Sequence, residues 1–233
     1  MMFLFIVQPL TMVAINTTLN RRTDVLKGRM TRKYDRSGRP PMRAFGFVQV
    51  FSPAMSTSFD LLRNGPTRLR TLEPSDVEWM MRWENDPAHW SVSGTTVPYS
   101  RATLTALCNG HQDVHSAGQL RWVIEEMGKA VGAIDLYEFS AMHQRSGIGI
   151  LVDAAHRGKG TAGRALDIAV RHASEVLLLK GLHAQVHADN EPSMKLFAAA
   201  GFEEVGRLKD WTRTGDGWRD AVTFQLILNS DPS

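Results

Sequence analysis

The stretch Arg157-Gly158-Lys159-Gly160-Thr161-Ala162 decides the fold of this chain. A short apolar run, Ile148–Val152, precedes it, and apolar residues at helical intervals follow it to about Leu179. This order predicts a strand, a glycine loop and a helix. Such a junction aims several backbone N–H groups at one spot, near the positive end of a helix dipole, and is suited to bind an anion. Because glycine lacks a Cβ atom, a phosphate can approach the main chain closely at the two glycines of the loop.

A second motif, Asn190-Glu191-Pro192-Ser193, follows after about one predicted strand, and Gly201-Phe202 follows one helix later. Asn190 can cap a helix over Pro192–Ala200, and Gly201 can end it. Together the two motifs resemble those of the GNAT superfamily of acyl-CoA-dependent N-acetyltransferases, and they look closest to the branch that holds the ribosomal-protein and spermidine-type enzymes. The resemblance runs from about Thr67 to Leu228.

The resemblance implies an α/β fold with a mixed, mostly antiparallel sheet, a splayed central strand pair and flanking helices. It also implies transfer of an acetyl group from acetyl-CoA to a primary amine, without a metal. The pattern of apolar residues predicts elements in a matching order. The predicted strands cover residues 68–72, 120–126, 131–139, 146–152, 182–187, 202–208 and 221–228, and the predicted helices cover 74–85, 100–110, 162–179 and 192–200.

Residues 1–66 differ from the rest of the chain. Met1–Ile15 is apolar but shorter than the roughly 20 residues of a membrane span, and no basic region precedes it as in a signal peptide. Asn16–Arg43 is polar, basic and without periodicity, which is typical of a disordered linker. We therefore expect residues 1–66 to lie outside the domain, as a disordered, basic or membrane-associated tail or as a gene-start artefact upstream of a true start at Met42 or Met55. The acetyltransferase domain is expected over residues 67–229.

Charge is unevenly distributed along the chain. Residues 1–54 carry a net charge of +7 and the remainder carries −4. The high isoelectric point therefore belongs to the N-terminal segment, and the domain itself is not expected to bind nucleic acid. The single Cys108 excludes an internal disulfide and a cysteine-based metal cluster. Its apolar neighbours predict a buried thiol, and the low cysteine content favours a reducing, cytoplasmic compartment.

The resemblance assigns a set of residues to acetyl-CoA. Backbone amides of the loop would hold the pyrophosphate, while the main chain of the preceding strand would bind pantetheine and supply an oxyanion donor. Arg157 and Lys159 would either pair with phosphates or remain solvated loop charges. The cofactor-binding candidates are Ile150, Leu151, Val152, Arg157, Gly158, Lys159, Gly160, Thr161, Ala162, Gly163, Asn190 and Ser193.

Phe197 departs from the family pattern, because many relatives place there a tyrosine that protonates the departing thiolate. Either water or another hydroxyl, on Tyr137 or Tyr99, would replace it. The amine must also lose a proton, and Asp135 interrupts an apolar strand where relatives of the spermidine type have an acidic residue. Asp135 is therefore the predicted base, with a solvent-facing strand position as the alternative and Glu138 as the fallback.

Glu84 and Trp90 are the predicted acceptor-binding residues. Glu84 lies at the edge of an apolar helical stripe, where it would meet a cationic acceptor or only border the core, whereas Trp79 and Trp83 are expected to pack. The negative charge of the domain favours a small, polyamine-like amine. A protein N-terminus, as in ribosomal-protein acetyltransferases, is the alternative acceptor. A CoA-binding module without transferase activity is the third reading, and a homodimer is a further expectation.

Overall fold

The structure of this chain, a computed structural model, describes residues 61–93, 95–110 and 113–228. The predictions for residues 1–60 therefore lie outside the described residues. The first strand within the described residues is Arg63–Asn64. It precedes Thr67, where the sequence places the start of the domain. This strand contains 2 residues, too few for an alternating pattern to be recognised.

The described strands form one sheet of eight strands in the order β1-β2-β3-β4-β5-β6-β8-β7. Within the described residues, only the β5–β6 pair is parallel, and every other neighbouring pair is antiparallel. The prediction of a mixed, mostly antiparallel sheet is therefore confirmed. The strands are β1 Arg63–Asn64, β2 Thr67–Arg70, β3 Leu120–Glu126, β4 Lys129–Ser140, β5 Arg145–Val152, β6 Gly181–His187, β7 Glu203–Thr214 and β8 Gly217–Ile227.

The parallel pair β5–β6 separates along its length. Its paired residues run from Arg145 and Gly181 to Gly147 and His183. Beyond them β5 continues to Val152 and β6 to His187 without further pairing to each other. The predicted splayed pair is thus present, and we call the gap between these two strand ends the fork.

Six α-helices are assigned within the described residues, and two of them, α2 and α4, are too short for the sequence pattern to reveal. Helix α5 ends at Glu175 rather than at the predicted Leu179, because the chain turns away where Leu178 adopts a φ of +51°. The helices are α1 Val77–Glu84, α2 Pro87–Ser93, α3 Arg101–Asn109, α4 Val114–Ala117, α5 Thr161–Glu175 and α6 Glu191–Ala199, with 3-10 turns at Pro74–Asp76 and Ala154–His156.

The sheet has two differently covered faces. On one, which we call the α5 face, side chains such as Ile134 and Ile148 pack in one core with residues of α5 and α6. On the other, the α1 face, Val123 packs with Met80 of α1 and Leu104 of α3. Successive side chains on a strand point to opposite faces. Every second residue counted from Val123 on β3, and the matching residues on β4, therefore also point to the α1 face. These are Arg121 on β3 and Ala133, Asp135 and Tyr137 on β4.

Cys108 belongs to the core beneath the α1 face, as predicted, with an exposed fraction of 4%. Burial raises the pKa of its thiol, so the thiolate that a nucleophile needs is disfavoured. Within the described residues, no helix combines the length and the apolar character required to cross a bilayer.

Candidate active site

The glycine loop follows β5 through the 3-10 turn and reaches α5 at Thr161. Gly158 and Gly160 have φ values of +74° and +77°, in the left-handed region that glycine favours. A Cβ atom at Gly158 would meet nothing within 4 Å, so the backbone conformation alone selects glycine there. At Gly160 a Cβ atom would also lie 2.9 Å from Nη1 of Arg164.

Within the described part of the chain, helix α5 begins without a side-chain cap, as α1 does, whereas three other helices are capped. Ser100, Asp113 and Asn190 each accept a hydrogen bond from a backbone N–H in the first turn of α3, α4 and α6, respectively. Among the described residues, no side chain caps α5, which begins after Gly160. Amides in the first turn of a helix have no intrahelical partner. Those at Thr161–Gly163 are of this kind, and helix N-termini commonly bind phosphates. Binding of a phosphate here stays a prediction.

The two cationic side chains of the loop, Arg157 and Lys159, donate hydrogen bonds to carbonyl oxygens of the chain just before the loop. Nε of Arg157 donates to the carbonyl oxygen of Val152 over 2.7 Å. Nζ of Lys159 donates to the carbonyl oxygen of Ala155 over 2.9 Å. A direct contact of either side chain with a phosphate stays a prediction.

The strand before the loop lies with one edge along the fork. Val152, Leu151 and Ile150 pair through the opposite edge of β5 with β4. Ile150 and Val152 are buried in the core of the α5 face, while Leu151 is half-buried. Their side chains pack while their main chain borders the fork, which is the arrangement that the predicted pantetheine site requires.

Asn190 and Ser193 lie where β6 gives way to α6. Oδ1 of Asn190 accepts a hydrogen bond from the backbone N–H of Ser193, which confirms the predicted helix cap. Nδ2 of Asn190, Oγ of Ser193 and Nε2 of His187 are buried and have no hydrogen-bond partner among the described residues. Such atoms are costly to leave unpaired, so a ligand that bonds to them is stabilised. This observation fits the predicted contact of Asn190 and Ser193 with the cofactor arm.

The side chain of Tyr137, from β4, lies across β5 where β5 and β6 are still paired, at the closed end of the fork. Its ring lies over Gly147, where a Cβ atom would be 2.2 Å from Cε2 of Tyr137. The phenol lies near the backbone N–H of Gln185 on β6, and the ring meets that of His183 edge-on with centroids 5.8 Å apart. Burial, together with the charges of Glu138 and Asp135, raises the pKa of Tyr137. The phenol therefore stays protonated and able to donate.

Phe197 and Tyr99 do not reach this position. Phe197 has an exposed fraction of 0% and packs against Phe202 and Phe224, with ring centroids 5.0 and 5.9 Å away. Tyr99 packs against the core beneath the α1 face, and Asn85 bonds to its backbone. Of the two hydroxyls proposed to replace the missing tyrosine, Tyr137 is the one at the fork.

Asp135 belongs to a buried group of charges that we call the Arg121 cluster, formed by Glu84, Arg121 and Asp135. Nε and Nη2 of Arg121 donate to the two carboxylate oxygens of Asp135 over 2.7 and 2.9 Å. Nη1 of Arg121 donates to Oε1 of Glu84. Asp135 pairs across the sheet with Gly149 of β5, so the cluster lies beside the fork.

The Arg121 cluster is shielded from water. Asp135 has an exposed fraction of 6%, so the alternative that it is a solvent-facing residue is wrong. Desolvation raises the pKa of Asp135, and the attraction of Arg121 offsets this only in part. Desolvation lowers the pKa of Arg121, but its two carboxylate partners raise it by more, and the guanidinium stays charged. When both carboxylates are ionised, the cluster carries one excess negative charge.

The tryptophans of the first helices contact the Arg121 cluster and the end of β5. Nε1 of Trp90 donates to the carbonyl oxygen of Glu84 over 3.1 Å, which brings the two predicted acceptor residues together. The rings of Trp79 and Trp83 pack with centroids 4.4 Å apart, as predicted. Nε1 of Trp83 donates to Asp153, which directly follows β5 and precedes the 3-10 turn.

Sequence reasoning missed two arginines, Arg121 and Arg164. Arg121 contacts residues 37 and 14 positions away, and Arg164 contacts residues 97 and 38 positions away. No local pattern signals such partners. Among the described residues, no group of three or more His, Cys, Asp and Glu side chains is arranged to hold a metal ion.

The fork, the glycine loop and the start of α5 form the candidate site, and the comparisons with known proteins identify the family of the chain. The family model described as "Acetyltransferase (GNAT) domain" matches residues 67–203. The chain belongs to the GNAT acetyltransferase family and is an N-acetyltransferase that uses acetyl-CoA.

The relatives include enzymes named for a polyamine. Spermidine N(1)-acetyltransferase of Escherichia coli K12 is 27% identical over 164 residues, covering 69% of this chain and 85% of the relative. The protein of the same name from Vibrio cholerae is 27% identical over 169 residues, covering 70% and 94%. A solved structure of the Vibrio cholerae spermidine N-acetyltransferase in complex with CoA and spermine superposes with a TM-score of 0.63 at 25% identity, covering 70% of this chain and 96% of that one.

Proposed function

We propose that this acetyltransferase acts on a primary amine of a small, cationic, polyamine-like acceptor. The observation that carries the proposal is the Arg121 cluster, in which two carboxylates share one guanidinium beside the fork. A buried charge is costly unless it is paired. The ammonium group of an acceptor would balance the excess negative charge. The names of the relatives support the same class of acceptor.

Acetyl-CoA would be held mainly by the main chain. The amides of the loop and of the first turn of α5 would bind the pyrophosphate, and Asn190 and Ser193 would contact the cofactor arm. The backbone of Ile150–Val152 would bind pantetheine along the fork. A backbone N–H there would stabilise the oxyanion, an interaction that typically contributes about 3–4 kcal/mol.

Asp135 would accept the proton of the amine, whose pKa is about 10 in water. Its own raised pKa makes its carboxylate a better proton acceptor than an exposed one, while Arg121 holds it in place. The amine nitrogen then attacks the thioester carbon, a C–N bond forms and the C–S bond breaks. The bonding electron pair would leave with sulfur, towards which the neutral phenol of Tyr137 would donate a hydrogen bond. The nitrogen, positively charged after the attack, would release its second proton to water, and the thiolate would take up a proton from water.

Thiol release from acetyl-CoA with a panel of amines tests this function. We expect spermidine and putrescine to be acetylated with higher kcat/KM than butylamine, because the monoamine lacks a second positive charge. Preference for N-terminal peptides would favour the alternative protein acceptor. Binding of CoA without any thiol release would favour the non-enzymatic module and would contradict the proposal. The cytoplasmic location and the homodimer expected from the sequence stay predictions.

A further inference from the structure

Arg164 bonds to three successive residues at the junction between the glycine loop and α5. Its backbone N–H donates to the carbonyl oxygen of Gly160 over 3.1 Å. Its Nη1 donates to the carbonyl oxygen of Lys159 over 3.1 Å, and its Nη2 donates to Oγ1 of Thr161 over 3.3 Å. The Arg164 side chain thus fixes the main chain immediately before the left-handed Gly160 and the side chain of the residue immediately after it.

The same guanidinium is anchored to the sheet. Nε of Arg164 donates to Oγ1 of Thr67 over 2.7 Å, and Nη2 donates to Oε1 of Glu126 over 2.9 Å. Oγ1 of Thr67 donates in turn to Oε2 of Glu126 over 2.8 Å. These three side chains form a closed ring of hydrogen bonds, which we call the Arg164 ring, between α5, the start of β2 and the end of β3.

The chemistry of the ring fixes the direction of each bond. A guanidinium has only donors, and an ionised carboxylate has only acceptors. The hydroxyl of Thr67 must therefore accept from Arg164 and give its own hydrogen to Glu126. Thr67 has an exposed fraction of 0%, so water does not compete for this hydroxyl. The guanidinium is held in one orientation by acceptors on both sides.

We infer that Arg164 is a positioning residue for the cofactor, which presets the glycine loop and does not itself bind a phosphate. The inference rests on the proposed role of the loop in binding CoA. When the loop is already ordered, binding of CoA does not incur the entropic cost of ordering it. A preset loop therefore binds CoA more tightly. Arg164 also neutralises the carboxylate of Glu126, to which it is paired.

Gly160 and Arg164 are matched to one another. A Cβ atom at Gly160 would come within 2.9 Å of Nη1 of Arg164, the nitrogen that bonds to Lys159. Glycine at this position therefore serves two needs, the left-handed backbone and the space for the guanidinium. Both lead to the same loop conformation.

A set of variants separates positioning from direct phosphate binding, with the affinity for CoA measured by calorimetry. In Arg164→Met we expect the Kd for CoA to rise about tenfold or more, because several charge-assisted hydrogen bonds are lost. Arg164→Lys should restore little of the affinity, since one ammonium cannot replace the forked geometry of a guanidinium. Thr67→Val should also weaken binding, although it removes no charge.

A direct phosphate contact gives the opposite pattern. Arg164→Lys would then retain most of the affinity, and Thr67→Val would leave affinity unchanged or raise it, because it frees the guanidinium. Either result overturns the inference. Arg171→Met is the matched control on the same helix, because Arg171 donates to the carbonyl oxygens of Leu61 and Arg63 and not to the loop.

Steady-state kinetics and hydrogen exchange provide readouts that a merely structural role would not move. Arg164→Met should raise KM for acetyl-CoA while kcat and KM for the acceptor stay near the wild-type values. Amides 158–161 should exchange faster in Arg164→Met than in Arg171→Met. If the wild-type protein does not bind CoA, the proposed function fails. If the wild type binds CoA and Arg164→Met binds it equally well, this inference fails.

Discussion

The glycine loop, which follows β5, and the Arg121 cluster, which adjoins β5 through β4, are built in opposite ways. The loop is a continuous stretch that acts through its main chain, with two left-handed glycines and an uncapped helix. The cluster acts through side chains from α1, β3 and β4. A backbone site tolerates changes in most of its side chains, whereas a buried cluster of charges depends on each of its members.

Asp135→Asn is expected to have the largest effect on activity. The loss of general base catalysis should lower kcat/KM roughly 10²–10⁴-fold, while the Kd for CoA changes little because the loop is untouched. Raising the pH should restore part of the activity, since more of the amine is then neutral. Thiol release at several pH values measures both effects.

The matched control for this change is Asp210→Asn, an exposed position on β7. It should leave kcat/KM at the wild-type level. Near-normal turnover of Asp135→Asn at neutral pH would move the base role to Glu138 or to a chain of water molecules. The Arg121 cluster would then serve only charge balance and packing.

Gly160→Val should mainly affect the loop. A valine at a φ of +77° is strained by about 1–3 kcal/mol, and its Cβ atom would crowd Arg164. We expect the Kd for CoA to rise at least about tenfold, since a factor of ten corresponds to about 1.4 kcal/mol. Calorimetry on a variant with an unchanged circular-dichroism spectrum measures this.

Gly206→Val on β7 is the control, because a Cβ atom there meets nothing within 4 Å and its φ lies outside the left-handed region. It should bind CoA like the wild type. Wild-type affinity in a folded Gly160→Val variant would show that the loop does not hold the CoA phosphates.

The smallest expected effect concerns His172. This residue lies on α5, the helix that follows the glycine loop, and packs against β3, the strand that carries Arg121. Its ring meets Trp122 edge-on, with centroids 5.1 Å apart, and burial lowers its pKa from the ordinary value of 6.5. The unfolded chain therefore takes up this proton at a higher pH than the folded protein does. Stability is full above about pH 6.5 and is lost as the pH falls through the lowered pKa.

We expect the melting temperature of the wild type to fall as the pH is lowered from 7.5 to 5.5. The melting temperature of His172→Phe should fall less over the same range. The exposed His143→Gln should keep the wild-type slope. Burial also lowers the pKa of His183 and His187, so part of the slope should remain in His172→Phe. An identical slope in His172→Phe would contradict the assignment.

The sequence predicts what is encoded locally. The two glycines of the loop, the caps at Ser100 and Asn190, and the helix end at Gly201 each depend on a few neighbouring residues. The order of the longer strands and helices also follows from their apolar periods. Such features need no knowledge of the sheet register.

The Arg121 cluster depends on the register. Continuing the pairing of Glu126 with Lys129 along the β3–β4 hairpin without interruption would place Arg121 opposite Ile134. A bulge at Ile124 and Glu125 shifts the register by one residue, and Arg121 instead pairs with Asp135. Because neighbouring residues on a strand point to opposite faces, this shift brings the guanidinium to the carboxylate. No residue pattern in the strand predicts that bulge.

The contact between Tyr137 and Gly147 also has an evolutionary consequence. With 2.2 Å between a Cβ atom at position 147 and Cε2 of Tyr137, even alanine at position 147 requires the tyrosine ring to leave its present position. A lineage that replaces Gly147 is therefore expected to move or lose the ring at position 137 first. The two positions form an ordered epistatic pair, in which the effect of a change at 147 depends on the residue at 137.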